Sequence, residues 1–396
     1  MAKRPAFADW LDDTNDVTRM FLAAGQIPGL INLAGGLPDP QLYPARALAD
    51  LAHAALTETP QDALNYAPIE GYGALRDALA TRYETDKLKL TRENVLITSG
   101  GIQGLELIGK VLLNEGGAIA TQTPTYLGAL DAWRPRRPTY RPMRPDANDF
   151  DPAVALRGCQ FGYTVPNFSN PTGKLVPTNV RAALVEAAQS TGTWLVEDDP
   201  YGALYYDETP LPRMIELAGD GAPYDGPVIY LGSLSKELAP GLRIGWVIAA
   251  PEMIAKLTLA KQGSDMSTSG LSQVLTLRTF ETGLDARVLP DILTLYAARR
   301  DALCAAMETH LTPWFDWEKP VGGMFVWAVA RNPDFNTDDL LQAALRAKTC
   351  VSPSSVFDPL GEDRRAIRIN FTLNSEPQLA EGIRRLAVAC QEVDLR

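Results

Sequence analysis

The chain has 396 residues, 46% of them hydrophobic and 21% charged, with a formal net charge of −11. This is an ordinary globular balance, long enough for one large core and a second, smaller one; without a basic block it disfavours a nucleic-acid partner, and without a long apolar run it disfavours a membrane span. The four cysteines stand far apart and the two histidines have no partner at ligand spacing, which argues for reduced thiols in a cytoplasmic protein and against a metal centre or histidine-based catalysis.

Met1-Ala2-Lys3-Arg4-Pro5 lacks the apolar core of a signal peptide. A short helix is predicted over Thr14 to Ala24, within a first segment (1–40) expected to pack at a domain junction. Strand-like and helix-like stretches then alternate. Asn94 to Thr98 reads as a buried strand, Ile102 to Leu113 as a helix and Ala118 to Ala120 as the next strand. Phe161 to Val165 is a further strand, broken at Pro166, and Pro177 to Gln189 is a helix that starts with proline and is soon followed by Gly192. Trp194 to Val196 is a strand running into three acids, Glu197, Asp198 and Asp199. Val228 to Leu231 and Arg243 to Ala250 are two more strands, the latter followed by a helix from Pro251 to Gln262. Such alternation predicts an α/β domain (41–285) with a mostly parallel sheet covered on both faces. From about Ala286 the pattern changes. Helices at Leu289 to Met307, Thr337 to Lys348 and Pro377 to Glu392, with strands at Met324 to Trp327 and Ile367 to Phe371, predict a smaller α+β domain (286–396).

Lys236 follows the buried Val228–Leu231 strand in Gly232-Ser233-Leu234-Ser235-Lys236, with Arg243 seven residues on. An amine so placed can form an imine with an aldehyde cofactor, helped by surroundings that lower its pKa, and the serines and Arg243 could hold a phosphate. The combination points to pyridoxal 5′-phosphate (PLP), whose ring nitrogen needs a nearby carboxylate to stay protonated. Asp198 stands at a strand end, where open α/β sheets place ligands. Tyr201 and Asn170 are candidate partners for the cofactor's phenol oxygen. Ser99-Gly100-Gly101-Ile102 offers backbone N–H groups at a helix start for the phosphate, and Tyr126 a ring to stack on.

The ordered set Ser99-Gly100-Gly101, Tyr126, Asn170-Pro171-Thr172-Gly173, Asp198-Asp199-Pro200-Tyr201 and Ser233-Leu234-Ser235-Lys236…Arg243 resembles the fold-type I, class I/II PLP-dependent aminotransferases. The subgroup it most resembles contains the 2-aminoadipate and kynurenine aminotransferases, which Gly35-Gly36-Leu37-Pro38-Asp39-Pro40 and Asn65-Tyr66-Ala67-Pro68 also fit. The similarity runs from about Thr14 to the C-terminus. It implies a sheet of seven-stranded type sandwiched by helices, with the smaller domain beside it. It further implies that Lys236 bonds the cofactor and then moves the substrate's α-proton, that Asp198 pairs with the ring nitrogen, and that Tyr201 and Asn170 bond the phenol oxygen. Tyr126 would stack on the ring. The Gly101 and Ile102 amides, Ser233, Ser235 and Arg243 would hold the phosphate, and Tyr66 would reach that of a neighbouring subunit in a homodimer with shared active sites. Many relatives carry a polar side chain where this chain has Gly101 and Ile102, so only their backbone is assigned a contact.

For substrate, the resemblance implies that Arg368 grips the α-carboxylate, with Asn170 and Gly36 alongside, and that Arg19 meets a distal carboxylate. That would fit donors such as 2-aminoadipate or glutamate, or aromatic or branched amino acids, and 2-oxoglutarate as acceptor. The cofactor motifs do not by themselves separate transamination from the lyases, decarboxylases and racemases of the same fold. A PLP-sensing regulator would need a DNA-binding module, for which the early start of the similarity leaves no room. An inactive scaffold would be expected to lose Lys236 or Asp198.

Overall fold

A computed structural model describes residues 6–11 and 27–394. The predicted Thr14–Ala24 helix and Arg19 lie outside the described residues. In chain order the strands are β1 (Ile31–Asn32), β2 (Val95–Thr98), β3 (Ala118–Gln122), β4 (Thr139–Met143), β5 (Phe161–Thr164), β6 (Trp194–Asp198), β7 (Val228–Ser233) and β8 (Gly245–Ile248). After them come β9 (Phe315–Trp317), β10 (Phe325–Ala330), β11 (Thr349–Cys350), β12 (Ser352–Pro353) and β13 (Ala366–Asn370).

Strands β2 to β8 form one seven-stranded sheet in the order β2-β8-β7-β6-β5-β3-β4. All run parallel except β8, which is antiparallel to both its neighbours. The sheet is buried on both faces, and the pleat shows how. Leu96, Phe161, Tyr163, Val196, Ile229, Leu231 and Val247 enter one core cluster, with Leu105 and Ile108 of the helix Gly101–Leu112. Their neighbours Val95, Ile97, Leu195, Val228, Tyr230, Trp246 and Ile248 enter another, with Leu79 of Gly73–Tyr83 and Leu184 of Thr178–Thr191. Successive residues of a strand point to opposite faces, so a strand apolar along its whole length needs two cores.

The second sheet is antiparallel, with order β12-β13-β10-β9. It packs with the long helix Leu284–His310 and the last helix, Glu376–Asp394. A third, two-stranded pairing joins β1 to β11 in parallel, so the segment after residue 30 is hydrogen-bonded to the C-terminal part of the chain.

Several expectations are adjusted. The Trp194 strand extends through Glu197 to Asp198, and the strand expected from Arg243 starts at Gly245 because the chain turns back there, with Arg243 in the left-handed region at φ +52°. The helix expected from Leu289 starts at Leu284 and runs through Pro290. Strand β4 and the helices Ala45–Glu58, Gly73–Tyr83 and Gly270–Glu281 were not anticipated.

One buried ion pair ties the N-terminal strap to this frame. Asp39 pairs with Arg299 of the long helix, and both side chains are nearly inaccessible to water. Asp39 also accepts from the Gln41 N–H at 2.8 Å, while Arg299 donates to the Thr372 carbonyl. Removing one member of such a pair strands the other charge in the core. Asp39→Ala is therefore expected to lower the unfolding free energy by about 3 kcal/mol, read from denaturant melts.

Candidate active site

The carboxyl ends of β2, β3, β5, β6 and β7 open on one cleft of about 400 Å³, closed on its far side by residues of the second sheet and the strap. Open α/β sheets place ligands at these ends because the strand-to-helix turns leave backbone N–H groups and short polar side chains facing outward. Gly36, Gly101, Ile102, Tyr126, Asn170, Asp198, Tyr201, Ser233, Ser235, Lys236, Arg243 and Arg368 all line it. The structure thus gathers twelve of the predicted site residues into one cavity. Two others lie elsewhere. Tyr66 is 82% exposed and does not line this cleft; Arg19 is outside the described residues.

Lys236 is carried by the connection between β7 and β8. Ser233, the last residue of β7, is paired in register with Gly245 at the start of β8, so the intervening loop is pinned at its base. The Lys236 Nζ donates to the Gly36 carbonyl at 2.8 Å. Burial, reinforced by the Arg368 and Arg243 charges, lowers its pKa to about 8.

The three acids after Val196 divide by the pleat. Glu197 and Asp199 face the second core. The Glu197 carboxylate accepts from the Met214 and Ile215 N–H groups, and Asp199 accepts from Asn167 Nδ2 at 2.8 Å and the Tyr230 hydroxyl at 3.1 Å. Asp198 faces the cleft. Its Oδ2 accepts from the Tyr163 hydroxyl at 2.7 Å. Burial pushes its pKa up to about 7, against the lowering effect of that bond. Tyr163 escaped the sequence reading.

At one end of the cleft sits a set of donors. Gly100, at φ +89°, starts the helix Gly101–Leu112, and a Cβ there would lie 2.5 Å from Arg243 Nη2, so only glycine lets the guanidinium approach the turn. The Gly101 and Ile102 N–H groups lie in the first turn, where no intrahelical acceptor exists, and the described residues supply no other acceptor for them. Ser233 donates to Ser235 Oγ at 2.9 Å, placing both hydroxyls together. Arg243 bonds only the Pro240 and Ser99 carbonyls, each at 3.3 Å, and pairs with no carboxylate among the described residues. Two hydroxyls, an uncompensated guanidinium and free helix-start amides suit a phosphate dianion.

At the other end is Arg368, on β13. Its Nη1 donates to Asn170 Oδ1 at 2.6 Å and its Nη2 to the Ala34 carbonyl at 2.6 Å, while the buried Nε has no partner among the described residues. The guanidinium carbon lies 4.3 Å from the Phe325 ring centre and 4.6 Å from that of Phe357. These rings hold the plane by cation–π contact without neutralising it. Burial lowers its pKa to about 10, which leaves it cationic at neutral pH. Asn170 links this end to the centre through Nδ2, 3.3 Å from the Tyr201 hydroxyl. Phe325 and Phe357 were also missed, since nothing in their local sequence distinguishes them from core residues.

Between these ends lie the Lys236 amine, the Asp198 carboxylate and the Tyr126 ring, whose hydroxyl burial pushes up to about 12. The donor set therefore fits PLP, whose phosphate, ring nitrogen and aldehyde call for these kinds of group.

Residues 29–386 match the family model described as aminotransferase class I and II. The chain is 36% identical over 376 residues to a 2-aminoadipate transaminase of Thermus thermophilus, covering 94% of this chain and 92% of that one. It is 34% identical over 388 residues to an aromatic-amino-acid aminotransferase of Thermococcus litoralis, covering 94% and 91%. Among solved structures, the α-aminoadipate aminotransferase of T. thermophilus complexed with N-(5′-phosphopyridoxyl)-L-leucine superposes with a TM-score of 0.88, at 33% identity and with 98% of each chain covered.

The lowered pKa of Lys236 has a measurable sign. In the cofactor-free protein the acylation rate of Lys236, followed by peptide mass spectrometry, should level off above about pH 8–9. An ordinary lysine, with a pKa near ~10.4, is still gaining reactivity there.

Proposed function

The chain belongs to the class I and II aminotransferases and its cofactor is PLP, and on that premise we propose how its residues divide the work and which substrates they serve. The observation that carries the reading is that two guanidiniums without carboxylate partners among the described residues, Arg243 and Arg368, line the cleft that holds Lys236 and Asp198. One cation awaits the cofactor's phosphate and the other the α-carboxylate of an amino acid.

When bound, PLP supplies a reactive aldehyde carbon and a cationic ring that takes up electrons when a substrate bond at Cα breaks. Ser233, Ser235, Arg243 and the Gly101 and Ile102 amides hold its phosphate, Asp198 keeps its ring nitrogen protonated, Tyr201 and Asn170 bond its phenol oxygen, and Tyr126 stacks on its face. Arg368 orients the substrate by a planar, two-point grip on the carboxylate, with Asn170 fixing the guanidinium plane and Gly36 bordering the site. Lys236 Nζ takes the α-proton from the substrate and delivers a proton in the second half of the exchange. Its lowered pKa supports this role, because a base that is part neutral near pH 8 can accept and return protons in the same cycle. The amino group thus passes from an L-amino acid to a 2-oxo acid in two half-reactions.

The substrates we propose are an acidic donor such as 2-aminoadipate or glutamate, or an aromatic or branched amino acid, with 2-oxoglutarate as acceptor. Similarity to the T. thermophilus and T. litoralis enzymes supports both kinds of donor. The cleft walls contributed by Ile102, Leu105 and Phe357 suit apolar side chains, so we assign recognition of a distal carboxylate to Arg19. We further propose a cytoplasmic homodimer in which Tyr66 reaches the partner's phosphate site. The exposure of Tyr66, and of Leu64 beside it at 70%, supports a covering subunit there, and four buried free cysteines suit a reducing compartment.

Lys236→Ala should lose the yellow colour of the bound cofactor and multiple-turnover transfer, by at least about a thousandfold, in a coupled assay with glutamate and a panel of 2-oxo acids; normal turnover would refute the assignment. Arg19→Ala should reduce kcat/KM for acidic donors by about tenfold or more and leave leucine or phenylalanine nearly unchanged. An equal effect on both would remove Arg19 from recognition.

A further inference from the structure

Asp198 has one side-chain partner among the described residues, and the sheet dictates which. Tyr163 of β5 is in register with Val196 of β6. Val196 and Asp198 are two residues apart on one strand and so share a face. Tyr163 therefore lies on the same face as Asp198, one step back along the diagonal, a separation that a long aromatic side chain can span. Its hydroxyl closes that gap at 2.7 Å from Oδ2.

The phenol is itself immobilised. Tyr163 is fully buried, and its ring meets Trp133 edge-on at 5.0 Å between centres and 84° between planes. Trp133, also buried, is locked by its indole N–H, which donates to the Leu105 carbonyl at 2.9 Å. Gly109 leaves the space for that indole, since a Cβ there would sit 2.5 Å from Trp133 Cδ1. A chain of rigid contacts thus runs from the helix Gly101–Leu112 through Trp133 and Tyr163 to one oxygen of Asp198.

We infer that Tyr163 is a positioning residue for the cofactor: its hydroxyl holds Oδ2 of Asp198, fixing the carboxylate in its ionised form with the remaining oxygen turned to the ring nitrogen. This rests on the role proposed for Asp198. Burial acts in the same direction on the donor, raising the phenol well above its usual pKa, so the hydroxyl keeps its proton throughout the working pH range. Burial alone would favour a protonated Asp198, and the Tyr163 bond opposes it. A neutral carboxyl could not keep a pyridine nitrogen protonated, so the hydrogen bond supports the charge state that the ring requires.

The test uses Tyr163→Phe, which keeps the ring between Trp133 and the sheet, together with Asp198→Asn and the double variant. A cofactor-free melting curve for each first confirms folding. PLP affinity is measured by fluorescence titration, and the protonation of the ring nitrogen by the ¹⁵N shift of labelled PLP in the holoenzyme. Tyr163→Phe should weaken PLP by about tenfold and move the ¹⁵N signal from the pyridinium towards the neutral pyridine position. In the Asp198→Asn background the same change should cost less than about twofold, because the carboxylate it serves is gone. Wild-type affinity and signal in Tyr163→Phe would overturn the inference, as would an equal tenfold loss in both backgrounds, which marks a purely structural role. If Asp198→Asn itself leaves affinity and signal unchanged, the reading of Asp198 fails and the inference with it, so the two failures are told apart.

Discussion

Charge held away from water without a charged partner is the constraint on which this molecule turns. Lys236, Arg243 and Arg368 all face one cleft, and none pairs with a carboxylate among the described residues. Asp198, in the same cleft, has a hydroxyl as its partner instead of a cation. Ordinary surface charges would be solvated or paired. Here Arg243 stays open to solvent, but Lys236, Arg368 and Asp198 are largely desolvated, and the consequence is visible in the lowered Lys236 and Arg368 and the raised Asp198. Such an arrangement opposes folding, and on the function proposed above the cofactor's phosphate and the substrate's carboxylate would neutralise it and add their binding energy to the folded state.

The frame is built to hold these charges still. Backbone carbonyls stand in as temporary acceptors: Gly36 for Lys236, Ala34 for Arg368, Ser99 and Pro240 for Arg243. Two of these come from the strap between β1 and Asp39, which is fastened by the Asp39–Arg299 pair and by the Thr372 hydroxyl donating to the Leu37 carbonyl. The same strap crosses close to the second sheet, where a Cβ on Gly36 would sit 2.8 Å from the Phe325 ring. Phe325 in turn lies against Arg368. Strap, second sheet and cleft are therefore mechanically one unit around Arg368.

Much of the large sheet and most of the cleft were legible in the chain itself. Six of the seven large-sheet strands were read from their apolar runs; Lys236, Asp198, Asn170 and Arg243 were picked out by a distinctive chemistry close to strand ends, and Arg368 by the family resemblance. Two of the three longer helices that went unread share a physical reason. Gly73–Tyr83 buries Arg76, which donates to the Val95 and Arg92 carbonyls, and Gly270–Glu281 buries Gln273, Thr276 and Thr279. A buried face that mixes polar, internally bonded residues with apolar ones weakens the apolar period by which a helix is read. Strand β4 is similarly obscured, being a largely exposed edge with a proline in it.

By itself the sequence determined the class of fold and the family, because those depend on local runs and on motifs whose members lie close in the chain. Tertiary structure alone decided which groups meet. The pleat turns Asp198 to the cleft and its neighbours Glu197 and Asp199 away from it; strand register brings the Tyr163 hydroxyl to Asp198; and the packing of β10 and β13 places Phe325 against Arg368. Each of these contacts joins residues far apart in the chain through a geometry of strands and faces, which no local spacing encodes. The lysine and the aspartate could be read as letters, but the environment that sets their protonation exists only once the sheet has closed around them.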